Sequence, residues 1–314
     1  MNQPTTRPVR SPKAKRAAPQ DARFRPLDLA FLLLIMLIWG VNFPIAKLAV
    51  IELPPILMMA LRLTLVALLL LPFAPLPHGN WRKIMSLALV MGVLHFSVLF
   101  TGIKGVDSAT AALAIQLQVP FASLLAVVFL NDRIGWRRAI GLALAFGGVA
   151  VLSGEPRLEG NYFSLALVIL GAFFWAAASI IMKTLDKVSG WTINAWMSAI
   201  AAPQLFIASW LLEDNQIDAL TNTGFNGWFG VIWMGTVALI FAYGLWYKLL
   251  RRYQVNQVMP FTLLVPVFGV TASVLLLGDP VTANLLFGGV LVITGVAVVL
   301  LRRPKLASPR SERI

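Results

Sequence analysis

Long apolar runs separated by short polar clusters dominate the chain. Ten such runs follow one another, at 28–47, 55–73, 83–103, 108–130, 136–153, 162–183, 192–212, 225–248, 256–277 and 282–301. Each is close to the roughly 20 residues that carry a helix across a bilayer. Proline and glycine punctuate the joins, at Pro54-Pro55, between Pro72 and Pro77, and at Gly278-Asp279-Pro280. The pattern predicts an all-α membrane protein with ten transmembrane helices.

The pattern also repeats. The segment from Trp39 to Lys47 returns in outline as Trp175 to Lys183. Val119-Pro120, Asp132, Gly141 and Gly148 return as Val265-Pro266, Asp279, Gly288 and Gly295. Each copy holds five runs, and a duplicated module with an odd number of spans inserts the second time upside down. The predicted architecture is therefore two inverted five-helix repeats, 28–153 and 162–301, between basic tails at 1–27 and 302–314. Inverted repeats of this kind build alternating-access transporters, which bind substrate near the midplane between the repeats.

Composition supports lipid as the solvent. The chain is 59% hydrophobic and 12% charged, against about 25% charged in a soluble domain. The net charge of +13 raises nucleic acid as a partner, but its placement argues against that. Of the 26 Lys and Arg residues, 22 lie in the tails and in alternate loops on one side. Lys47, Lys104 and Arg157 lie on the other side, and Arg62 falls inside the second run. The excess of basic residues predicts both tails in the cytoplasm and the body in the inner (plasma) membrane. The acids Glu213, Asp214 and Asp218 share one outer loop without Lys or Arg. The first 25 residues lack the apolar core of a cleavable signal peptide and read as a disordered tail that orients the first span.

Several chemistries are excluded. With no cysteine, disulfides, a thiol nucleophile and thiolate metal sites are ruled out. The runs carry no acidic pair for a proton relay, no phosphate-binding glycine loop and no His/Glu cluster. No catalytic group, metal or cofactor is expected, which weighs against an ATP-driven pump and against an intramembrane enzyme acting on lipid.

Gly141 and Gly148 lie two helical turns apart, as do Gly288 and Gly295. Small residues at that spacing let membrane helices approach closely. They predict that the fifth and tenth spans pack together, as scaffold or at a dimer contact; a monomer and a homodimer both remain open.

The residues taken together resemble the EamA-type repeat of the drug/metabolite transporter superfamily. The resemblance is carried by the segment 39–43, by Pro54-Pro55 followed by Arg62, by Tyr243 to Trp246, and by the run from Leu264 to Gly269 leading to Asp279. It covers roughly 28–301, and within the superfamily it is most similar to amino-acid and metabolite exporters of the O-acetylserine/cysteine type. It implies ten spans, an inverted repeat, and a cavity lined mainly by spans 1, 3, 4, 6, 8 and 9. Two departures matter. The family usually has Glu before an Arg after the fourth and ninth spans, whereas this chain has Asn131-Asp132-Arg133 and Gly278-Asp279-Pro280. The second repeat also has Ala176 and Ala178 where the first has Gly40 and Asn42.

Candidate substrate-binding residues are the polar and aromatic groups inside spans. Trp39 and Asn42 share a face of the first span. Asn42 is placed to hydrogen-bond a substrate or, equally, the backbone of a neighbouring helix. Trp39 and Trp175 occupy equivalent positions, from which an indole face holds an ammonium group or simply packs. His95 either carries a proton or sits neutral between helices. Gln116 is favoured over Gln118 to face a cavity. Tyr243 and Trp246 offer an aromatic wall, with packing as the alternative. Pro120 and Pro266 each remove a backbone donor at equivalent places and read as hinges or as passive kinks. Arg62 is expected to snorkel outward in preference to pairing with Glu52 or a substrate carboxylate. Lys47 and Lys183 are expected to snorkel too, and Asp132 and Asp279 to cap the helices that follow them. The function expected is secondary transport of a small-molecule substrate, with export of amino acids or their derivatives ahead of drug or organic-compound efflux.

Overall fold

A computed structural model describes residues 24–130, 135–155, 161–185 and 188–301, and every regular element among them is helical. The long helices are α1 (Pro26–Glu52), α2 (Pro55–Phe73), α3 (Trp81–Gly105), α4 (Ser108–Phe129), α5 (Trp136–Leu152), α6 (Tyr162–Lys183), α7 (Gly190–Leu212), α8 (Phe225–Arg252), α9 (Met259–Leu277) and α10 (Ala283–Leu300). Among the described residues nine are long and apolar enough to cross a membrane. The exception is α5: the expected fifth span has a helix in its place, but one of 17 residues that carries Arg137 and Arg138 in its first turn. α1 outgrows its expected bounds because Pro26 sits pre-organised in the first helical turn and the chain leaves the helix only at Leu53, before Pro54.

The closest helix pairs join the first half of the chain to the second. α1 packs against α8 and α9, α6 against α3 and α4, α2 against α7, and α5 against α10. Large apolar side chains occupy both the inside and the outside. Leu32, Met36, Met58, Met59 and Leu63 are fully buried, while Leu68, Val128, Phe163, Trp210 and Leu275 point outward, as they would toward lipid.

The α5/α10 contact is made by the glycines that repeat along the sequence. A Cβ on Gly148 would lie 2.7 Å from Gly288 O, and one on Gly141 would lie 2.9 Å from Gly295 O. The pairing of 141 with 295 and 148 with 288 makes the two helices antiparallel, backbone against backbone. A second close approach joins α1 to α9, where a Cβ on Gly40 would meet the Gly269 nitrogen at 2.8 Å.

Besides the 3-10 end of α2 at Leu71–Phe73, four helices depart from α geometry, in two matched pairs. α3 is π-helical over Ala88–His95 and α8 over Trp233–Phe241. α4 tightens to 3-10 over Ile115–Leu117 and α9 over Met259–Leu263. The second pair has a direct cause. Pro120 and Pro266 cannot donate to Gln116 and Thr262, four residues before them, and their rings crowd those carbonyls, so the turn ahead of each proline tightens. The π turns were not legible from hydropathy.

Charged side chains close the helix ends, mostly from the opposite half. Glu213, after α7, accepts from the Ile56 and Leu57 N–H groups that open α2, at 2.8 and 3.0 Å. Glu52, at the end of α1, accepts from Gly227 N at the start of α8 at 2.8 Å, so it is not a partner for Arg62. Asp279 does not cap the helix that follows it: it accepts from Ala109 N and Ser108 Oγ at the start of α4, both at 3.0 Å, and α10 is capped by Thr282, whose hydroxyl donates to Glu155. Asp132 lies outside the described residues. Lys47 does not snorkel: its ammonium donates to the carbonyls of Ile103, Lys104 and Val106 at the end of α3, at 2.8–3.0 Å. Lys183 is exposed at the end of α6. At the other end of α1, buried Asp28 accepts from Tyr253 Oη at 2.7 Å and pairs with Arg252 at 3.0 Å.

Gly148→Leu and Gly295→Leu should each force α5 and α10 apart, costing about 1–3 kcal/mol or more from overpacking. We expect a lower thermal midpoint for the detergent-purified protein, with Gly147→Leu, a position with open space around it, as the neutral comparison. Unchanged midpoints for the first two would show that the helices tolerate separation.

Candidate functional site

The chemistry-bearing residues converge where α1, α2, α3 and α8 meet. The Trp39 indole Nε1 donates to Ala238 O of α8 at 3.1 Å. Its ring centroid lies 5.0 Å from Tyr243 and 5.3 Å from Trp246. Tyr243 and Trp246 are three apart on α8 and so present one face, and Ala238 lies in the π turn just before them. Tyr243 in turn lies 5.9 Å from Tyr247, whose hydroxyl bonds Asn194 of α7. The expected aromatic wall is thus a cluster shared by α1 and α8.

Arg62 departs most from expectation. It does not snorkel: the residue is 6% exposed. Its guanidinium lies 4.9 Å from the Phe96 ring centroid and 6.0 Å from that of Phe100, both on α3. Nη1 rests 3.6 Å from Met59 Sδ, and Nε has no hydrogen-bond partner. His95 and Tyr243 are near enough to feel its charge, and no acidic side chain among the described residues pairs with it. A cation at the centre of a membrane helix costs roughly 2.5–3.5 kcal/mol on insertion scales. A face-on aromatic ring returns roughly 0.5–2 kcal/mol. The rings therefore offset only part of the cost, and one donor edge of the guanidinium is left over.

The other predicted residues distribute around this centre. His95 is buried, and its Nδ1 contacts Gly171 O of α6 at 2.8 Å. A carbonyl only accepts, so Nδ1 carries the proton. Asn42, one turn beyond Trp39, holds a buried Oδ1 without a partner. Gln116 is buried on the 3-10 turn of α4, ahead of Pro120. Trp175 is half-buried on α6 and joins none of the ring contacts of Trp39. The structure therefore brings together Trp39, Tyr243, Trp246 and, through Arg62, His95; it does not join Trp175 or Gln116 to them.

Further unpartnered buried atoms are Ser97 Oγ, Ser123 Oγ, Ser198 Oγ and Trp233 Nε1. All lie more than a turn from the ends of their helices. Phe96 and Phe100 were not anticipated from sequence. The available signal was an aromatic pair four apart on a run that also carries His95.

Comparison with known proteins places these features in a family. The model of the EamA-like transporter family matches twice, over residues 27–154 and 162–301. A protein of Salmonella typhimurium named "Probable amino-acid metabolite efflux pump" is 31% identical over 276 residues, covering 85% of this chain and 92% of that one. A protein of Escherichia coli K12 with the same name is 30% identical over 281 residues, covering 86% and 94%. A solved crystal structure superposes with a TM-score of 0.59 at 17% identity, over 87% of this chain and 97% of that one. It shares the fold.

Trp39→Ala should destabilise the detergent-purified protein by about 2–3 kcal/mol, since Trp39 is half-buried and loses only part of a large buried aromatic's packing. Trp39→Phe should lose only the bond to Ala238, about 0.5–1.5 kcal/mol. Chemical denaturation followed by circular dichroism separates the two, and equal stability of Trp39→Ala and wild type would remove the cluster as a structural element.

Proposed function

Since the chain belongs to the EamA-like transporter family, we propose that it exports amino acids or related small metabolites by alternating access. It is a transporter and not an enzyme, in keeping with its family and with relatives named as efflux pumps; the transport is of the secondary kind. The observation that carries the substrate reading is the centre between α1, α2, α3 and α8, where aromatic faces and a few neutral polar groups suit a zwitterion. An ammonium group would rest on the Trp39 and Tyr243 faces. Asn42 and His95 would supply hydrogen bonds, with Trp246 behind Trp39; Gln116 and Trp175 are not joined to this cluster.

We read α1 to α10 as ten crossings in two inverted repeats, 28–153 and 162–301. Three observations support this. The family model matches once per half, the pairs α1/α8 and α6/α3 are equivalent between halves, as are α1/α9 and α6/α4, and α5 lies antiparallel to α10. The charge asymmetry along the sequence puts the tails 1–27 and 302–314 in the cytoplasm of a cell bounded by this inner membrane. The matched turns before Pro120 and Pro266 serve as hinges about which the halves rock. A monomer suffices for this mechanism, and a homodimer is compatible with it. The same aromatic wall would also admit apolar organic cations, so drug efflux is the second reading.

The test is flux from proteoliposomes loaded with labelled amino acids or with organic cations. Amino-acid efflux is expected; efflux of cations alone would favour the second reading, and movement of neither would end both. Because the chain has no cysteine, single cysteines can be introduced into the natural sequence. Asn80→Cys is expected to react with a membrane-impermeant maleimide only from the cytoplasmic side, and Asp218→Cys only from the opposite side. Labelling of both from one side would overturn the ten-span topology.

A further inference from the structure

We propose that Arg62 is the carboxylate-binding residue of the transport site, a cation kept inside the membrane for an anionic group that arrives with the substrate. This rests on the exporter reading and adds to it the charge that the substrate must carry. A buried charge is ordinarily paired. Arg62 has two aromatic rings, a thioether and an unpartnered Nε.

Five of the described acids have other partners. Glu52 is held by Gly227, Glu213 by the start of α2, Asp28 by Arg252 and Tyr253, Asp279 by the start of α4, and Glu155 by Thr282. The anion is therefore not supplied by these side chains.

The guanidinium geometry suits a carboxylate. The guanidinium carbon lies over the Phe96 ring, and the N–H donors lie along the edge of the planar group. The unpartnered Nε–H is on that edge, and a carboxylate taken there can be held by two parallel bonds. Arg62 sits where α2 meets α8, since a Cβ on Gly235 would lie 3.6 Å from Arg62 O, and Tyr243 of α8 meets Trp39. One group of side chains thus offers a cation and, beside it, aromatic faces that attract one, which matches the two charged ends of an α-amino acid.

The offset that relates Trp39 to Trp175 places Ser198 where the first half has Arg62. Ser198 is fully buried and its hydroxyl has no partner. Only one half therefore carries the charge, and the site takes one carboxylate.

The test uses the full-length protein, purified and reconstituted, with two probe series: L-leucine, L-leucine methyl ester and 3-methylbutylamine; and L-cysteine, L-cysteine methyl ester and cysteamine. Binding is read by tryptophan fluorescence and transport by efflux. In wild type, at least one acid should bind about tenfold or more tightly than its ester and amine. Arg62→Gln should abolish that preference, and Arg62→Lys should keep part of it. Acid and ester binding alike in wild type, or a preference that survives in Arg62→Gln, would overturn the assignment. The wild-type comparison decides even if the glutamine variant fails to fold. Acid-selective binding without flux would leave Arg62 in place and sink the exporter reading. Flux of acids and esters alike would do the reverse.

Discussion

A helix inside a membrane satisfies its own backbone except at its ends and at its breaks, and no bulk water is available there to make up the difference. The arrangement of this protein follows from how those few groups are satisfied. Glu213 opens α2, Glu52 opens α8, Asp279 opens α4, and Lys47 closes α3. With the exception of Lys47, each cap reaches from one half of the chain to the other. The acids are few, and those with described contacts are largely spent on this task. Helix-end chemistry and inter-half packing are therefore one interaction: separating the halves would uncover backbone groups as well as side-chain surface.

The helix contacts divide along the same line. α5 and α10 meet through four glycines, whose facing carbonyls and the side chains of Leu152, Val292 and Val298 leave no room for a Cβ, and suit a fixed scaffold. α3, α4, α8 and α9 instead carry the π and 3-10 turns, where the regular ladder is already interrupted. Bending at such a turn disturbs fewer regular bonds than bending an unbroken helix. The proposed hinges fall on α4 and α9, and the π turns fall on α3 and α8, two of the four helices that form the aromatic centre.

The sequence made the spans legible because apolar length is a strong signal, and it made the α5/α10 contact legible because only glycine permits that approach. It also set Tyr243 and Trp246, three apart, on one face of α8, while their meeting with Trp39 on α1 could not be read from spacing. The misread residues were the long charged ones. Arg62, Lys47 and Asp279 were assigned to the nearest water or the nearest helix, since periodicity along one helix says nothing about a partner some 170 residues away, such as Ala109 for Asp279. The π turns were hidden because no proline or other local signal marks them.

The two halves are alike in frame and unlike in chemistry. Asn42 stands opposite Ala178, and Arg62 opposite Ser198; in each case the first half keeps the stronger polar group. Two equal cations at a shared centre would repel each other in a medium of low dielectric constant, and neither could be neutralised by a single carboxylate without leaving the other exposed. A duplicated fold that binds one charged group therefore has reason to lose the charge from one copy. The serine that remains has neither a charge to neutralise nor, in this structure, a partner to hold.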